Sequence, residues 1–160
     1  MPRKLRLFVA FSSLFSIAAG LVGLAGWVFQ IEILKAVFPG LVTMKANTAV
    51  CFVLLGLSLW WLGAQNTPRS VLSWIAKAAA ATVSAVGLLS FLEFLGGWNF
   101  GIDQLLFVET AEGAIGSVQP GLMSPITALA FVLLGLALLL LDWTGGRETS
   151  PAQSLAFGAG

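Results

Sequence analysis

The sequence has no histidine, a single cysteine and few charges. Without histidine the chain lacks the commonest haem and metal ligand and the commonest general base. Cys51, alone and in mid-span, can form no disulfide within the chain and reads as a small apolar side chain. Charged residues make up 9% of the chain, against about 25% in a soluble domain. The net charge of +1 leaves no basic footprint for nucleic acid. No phosphate-cradling loop with lysine, nucleophile elbow or metal-ligand spacing occurs. GLVGLAG (20–26) holds glycines but lies in an apolar run with no strand before it. Catalysis is not expected, and no cofactor or metal is implied.

What the chain does have is apolar length, with 58% hydrophobic residues. Four runs, at about 7–27, 46–63, 73–95 and 125–141, would each cover roughly 25–35 Å as helices, the thickness of a bilayer's hydrocarbon layer. A signal peptide is the alternative for the first, since MPRKLR is basic. Its apolar stretch of about 21 residues exceeds the usual 7–15, however, and no clear cleavage site follows. The expected fold is an all-α integral membrane protein whose principal partner is the lipid bilayer.

One block occurs twice. MKANTAVCFVLLGLSLWWL (44–62) and MSPITALAFVLLGLALLLL (123–141) agree at 11 of 19 positions. A shorter match pairs GWVFQIE (26–32) with GWNFGID (97–103), ahead of each copy. Each unit then reads as a rising helix, a GWxFxI(E/D) segment, an outer connection, a methionine and a falling helix. Two spans per unit give the copies the same orientation, unlike an inverted repeat. The expected organisation is a first hairpin over 1–63, a cytoplasmic turn over 64–70, a second hairpin over 71–142, and a tail over 143–160. The apolar end of that tail resembles the start of a fifth span.

Basic residues set the orientation. Arg3, Lys4, Arg6, Arg69, Lys77 and Arg147 fall on one side, and only Lys35 and Lys45 on the other. The positive-inside rule places the amino terminus in the cytoplasm. The outer connections, IEILKAVF (31–38) and IDQLLFVE (102–109), carry apolar residues at helical spacing and are expected to form short amphipathic helices on the outer face.

Several residues stand out for weighing. Trp27 and Trp98 suit interfacial anchoring, with a ligand-facing role as the alternative. Glu32 and Asp103 close the matched segments and suit helix capping ahead of ligand binding. Thr48 and Thr127, close behind Met44 and Met123, suit caps or first-turn donors. Ala49, Gly56 and Gly63, like Ala128 and Gly135, recur every seven residues and form close-packing faces, which also permit self-association or contact with other membrane subunits. Lys77 can snorkel to the cytoplasmic side. Glu93, near the outer end of the third span, is the one carboxylate inside a span. At the bilayer centre its charge would cost about 2.5–3.5 kcal/mol or more, so a proton or cation site there stands against a simple boundary position. Glu109 and Glu112 read as a solvated face.

PGLVTMKANTAVCFVLLGLSLWWL, GIDQLLFVE and PGLMSPITALAFVLLGLALLLLD resemble the amino-terminal membrane region of bacterial multi-pass sensor histidine kinases and of related diguanylate cyclases with PAS domains. The resemblance covers about residues 20–160. Where that pattern opens its falling helices with Pro-Asn-Thr-Ala, this chain splits the features. The first copy keeps Asn47 but has Ala46 before it, and the second keeps Pro125 but has Ile126 after it. A shared role of that asparagine would thus fall to the first unit alone.

The resemblance implies a bacterial inner-membrane sensory module, a further hairpin beyond the second, and signalling domains outside this chain. On that reading Trp27, Glu32, Met44, Asn47, Thr48, Glu93, Trp98, Asp103, Met123 and Thr127 shape the outer end of the bundle. The alternative is a small accessory or scaffold subunit of a larger membrane complex. A transporter is less favoured, because only Glu93 and Lys77 bring polarity into the spans.

Overall fold

The computed structural model describes residues 3–35, 43–64, 71–108 and 121–145, with side chains to residue 140. Glu109, Glu112, the turn around Pro68 and Arg69, and the tail beyond Gly145 lie outside the described residues. Five helices follow in order: α1 (Arg3–Val28), α2 (Glu32–Lys35), α3 (Ala46–Ala64), α4 (Val71–Gly96) and α5 (Pro125–Gly145). No strand occurs among the described residues. α1, α3 over Ala46–Gly63, and α4 are long and apolar enough to cross a membrane, and α5 is apolar over Pro125–Leu140. α1 and α4 begin a few residues ahead of their apolar runs, because a helix needs its backbone ladder, and not apolarity, to continue.

α3 is central and packs on α1, α4 and α5, whereas α1 touches neither α4 nor α5 among the described residues. The tightest pairs are α1 with α3 and α4 with α5. Both are antiparallel and meet glycine to backbone. A Cβ on Gly20 would stand 2.5 Å from the Ala49 carbonyl oxygen, and one on Gly87 2.7 Å from that of Ala128. In return, one on Gly56 would meet the Ser13 carbonyl and the Ile17 nitrogen, and one on Gly135 the Ala80 carbonyl and the Ser84 nitrogen. α3 and α5 therefore seat their glycines on α1 and α4 by the same scheme.

Serine hydroxyls donate across each seam. Ser16 reaches the Phe52 carbonyl, Ser58 that of Ala76, and Ser84 that of Val132. Such bonds hold helices together where apolar burial gives little advantage over lipid. Phe52 meets Phe131 edge-on at 5.3 Å between α3 and α5, within a core of Cys51, Leu55, Ala80, Val83, Met123, Ala128, Phe131 and Leu138. The outward faces stay apolar, with Phe8, Phe11, Phe15, Trp74 and Ile75 exposed. Surface of this kind suits contact with the lipid bilayer.

The connection after α4 differs from expectation. Residues 102–108 form turns, not an amphipathic helix, while Glu32–Lys35 does form a single helical turn after α1. Two local features divert the chain. Gly97 takes φ +64 and closes α4 as its left-handed cap. The Asn99 side chain then accepts from the Gly101 N–H, and Gly101 is itself at φ +73.

Candidate functional site

The seam register explains what gathers where α1 and α4 end and α3 and α5 begin. On α1, Gly20 is followed at three-residue spacing by Gly23 and Gly26. On α4, Gly87 is followed likewise by Ser90 and Glu93. In the first pair, the bare face at Gly26 lets the α2 backbone settle on α1, so that a Cβ there would lie 2.9 Å from Leu34 and Lys35 backbone atoms. In the second, the corresponding space takes a carboxylate side chain. Glu93 is 1% exposed, and its Oε1 accepts the N–H of Phe100, which turns the chain back over the end of α4.

Asp103 enters the same pocket of polar groups from the turn and is 8% exposed. Its Oδ1 accepts from Ser90 Oγ at 3.3 Å, and the Glu93 carboxyl and the Asn47 amide are its other polar neighbours. Asn47 Nδ2 donates to the Ile102 carbonyl at 2.8 Å, joining the first turn of α3 to the connection after α4. Burial first, and then hydrogen bonding and charge repulsion from Glu93, push Asp103 up from 3.8 to about 7, with Ser90 and Asn47 pulling the other way. Glu93 Oε2 is fully buried and has no hydrogen-bond donor among the described residues. Gly121, at φ +82, passes so close to the Asp103 carbonyl that a Cβ would stand 2.8 Å from it.

A second group of contacts surrounds Trp27, which is 5% exposed in the last turn of α1. Its indole N–H donates to the Met44 carbonyl at 2.8 Å, and its ring meets Phe107 at 5.6 Å. Lys35 Nζ lies 4.7 Å from the ring centroid and donates to Glu32 and Gln30. Trp27 and Asn47 thus both bind the first half of the chain to residues 102–107 of the second.

The residues singled out in the sequence divide. Trp27, Met44, Asn47, Thr48, Glu93, Asp103, Met123 and Thr127 all stand at this one end of the bundle. Asn47, Glu93 and Asp103 converge, Met123 is buried in the core, and Thr48 is buried in the first turn of α3. Trp98 lies beyond α4, 58% exposed, folded back over Gly96. It is not placed as Trp27 is, because the seam register that matches Gly20 with Gly87 gives Phe94, not Trp98, the α4 position that corresponds to Trp27 on α1. Glu32 is solvent-facing in its pair with Lys35, unlike buried Asp103, and Asp103 caps no helix. Ser124 is the cap of α5. Its Oγ accepts the Thr127 N–H at 3.2 Å, contacts the Thr127 hydroxyl at 2.8 Å, and precedes Pro125 at the first helical position.

Reading the sequence for identical residues missed Ser90, Ser124, Lys35 and Phe107. The signal for Ser90 was the three-residue spacing it shares with Gly87 and Glu93. No group of three or more histidine, cysteine or acidic residues comes together among the described residues. Chemically, the cluster offers two carboxyl groups, a hydroxyl, an amide and a backbone N–H, a set suited to holding a proton or organising a turn.

Compared with family models, with curated proteins and with solved structures, the chain matches none.

Proposed function

We propose that this chain is a membrane-embedded sensory input module: two tandem hairpins, four spans in all, with the amino terminus cytoplasmic and the Glu93–Asp103 end on the outer face of a bacterial inner membrane. The observation that carries the reading is the tie across that end. Asn47 on α3 and Trp27 on α1 both hold the connection that follows α4. A change in that connection is therefore felt by every pair of packed helices, and close glycine seams respond by shifting between discrete packings instead of deforming smoothly. The repeated seam contacts support the duplicated hairpin, the basic residues support the orientation, and the sequence resemblance supports the sensory class.

The test places spin labels at exposed positions near the cytoplasmic end, Leu7→Cys on α1 and Trp74→Cys on α4, in full chain carrying Cys51→Ala in lipid nanodiscs. Asp103→Asn at the far end is expected to shift the distance distribution between the labels. Identical distributions with and without Asp103→Asn would contradict signal transmission. A reporter fused after Asn66 is expected on the cytoplasmic side.

The outward face of α1 favours a second reading, that of an accessory subunit. Phe11 and Phe15 stack at 6.3 Å with both rings exposed, a surface that another membrane helix could cover. Co-purification of the chain with one membrane complex at fixed stoichiometry would favour that reading.

A further inference from the structure

We propose that Glu93 and Asp103 form a proton-binding site, in which one proton held between the two carboxyl groups latches the 102–108 connection onto the end of α4. This names the stimulus for the sensory reading, outer-face acidity. It rests on that reading only for its consequence, since the proton site would exist in a chain that does not signal.

The geometry carries the inference. Two neighbouring carboxyl groups out of solvent cannot both stay ionised without strong repulsion, and a single shared proton turns that repulsion into a hydrogen bond. The placement of donors leaves room for that proton. Glu93 Oε1 is engaged by the Phe100 N–H and Asp103 Oδ1 by Ser90, while Glu93 Oε2 is buried with no hydrogen-bond donor among the described residues. A buried acceptor oxygen left without a donor, in the neighbourhood of a second carboxyl, calls for a hydrogen.

Lys35, from α2, is engaged by Glu32 and Gln30. Lys45, at the head of α3, is buried with interactions of its own. α4 adds no other charge near Glu93, and neither the last turns of α1 nor residues 121–128 leading into α5 contain a titratable side chain. Asp103 itself feels Glu93, Ser90 and Asn47, with no cation among them in the described residues, and the proton is the counterweight to the second carboxylate. The elevated position of Asp103, about 7, agrees with this and sets the range in which the proton leaves. On deprotonation it passes to the aqueous phase on the Asp103 side, and the two anions repel across the α4–turn joint.

The experiment is infrared difference spectroscopy of full chain in nanodiscs, titrated through neutral pH. The wild-type chain is expected to show a protonated-carboxyl C=O band that is lost as pH rises through about 7. Asp103→Asn should abolish that titration. Glu93→Gln, which removes the like charge and keeps the shape, should move the midpoint down by about one pH unit or more. A wild-type chain with no such band, or a titration unchanged in Asp103→Asn, would overturn the proposal. So would a midpoint in choline chloride that moves when sodium, potassium or calcium is added, because a cation would then occupy the position assigned to the proton. The wild-type titration and the salt comparison need no variant to fold. A proton site present with no change in label spacing would leave the inference standing and remove the sensory reading.

Discussion

Replacing Gly87 with alanine measures how much the α4–α5 seam depends on bare backbone. The added Cβ would stand 2.7 Å from the Ala128 carbonyl oxygen, 3.0 Å from Phe131 Cβ and 3.1 Å from the Val132 nitrogen. Two of these are helix backbone atoms that cannot swing aside, and ordinary contact begins near 3.4 Å. The helices must therefore part by roughly 0.5–1 Å, enough to forfeit a quarter to a half of the dispersion energy of atoms along the seam. Overpacking of this sort costs about 1–3 kcal/mol. Alanine's better helix propensity returns up to about 1 kcal/mol, leaving a net loss of about 1–2 kcal/mol. The assay is reversible unfolding of full chain in mixed micelles by titration with denaturing detergent, read by helical circular dichroism.

Gly20→Ala, whose Cβ would stand 2.5 Å from the Ala49 carbonyl, should lose at least as much. Gly101→Ala is the control. It has nothing within 4 Å and φ +73, so only backbone strain of about 1–2 kcal/mol applies, confined to the turn. The reasoning fails if Gly87→Ala and Gly20→Ala unfold at or above the wild-type detergent concentration.

Three other outcomes follow from the carboxylate end. Asn47→Ala removes the bond to the Ile102 carbonyl and leaves that acceptor short of a partner, a loss of about 1–2 kcal/mol seen as faster amide exchange over 102–105. Ser124→Ala removes the α5 cap, and about 1 kcal/mol of stability should go with it, with exchange rising first at the Thr127 amide. Asp103 is raised when folded, so the folded state binds more protons than the unfolded chain between pH 3.8 and about 7. Stability should accordingly fall as pH rises through that window and level off above it. Unfolding of the wild-type chain at a series of pH values checks the sign, and Asp103→Asn should flatten the slope.

Some of this architecture was legible before any coordinates. Apolar run length gave the helices, because a backbone in lipid must satisfy its own hydrogen bonds. FVLLGL recurs in α3 and α5, and Gly56 and Gly135 within it seat on their neighbouring helices alike. The outer connections were less legible. Identity at GWxFxI aligned Trp27 with Trp98, yet the first is buried in a helix and the second exposed beyond one. Helices align by which residues face the seam, and those facing residues are small and chemically plain. Apolar spacing over 102–109 pointed to a helix, but Asp103 turns inward to Glu93 and Ser90, and the chain coils to deliver it there.

The sequence alone determined that the chain is helical and apolar, that residues 44–62 and 123–141 agree at 11 of 19 positions, and that Glu93 falls within a long apolar run. Those follow from local chemistry, in which periodicity and run length act over a few turns. Only the tertiary structure decided that Glu93 meets Asp103, that Asn47 from the other half serves the same cluster, and that Gly26 and Glu93 occupy corresponding seam positions with opposite consequences. Such contacts depend on the angle and register at which helices cross. Those in turn are set by how closely backbones approach at glycines that carry no chemical signature of their own.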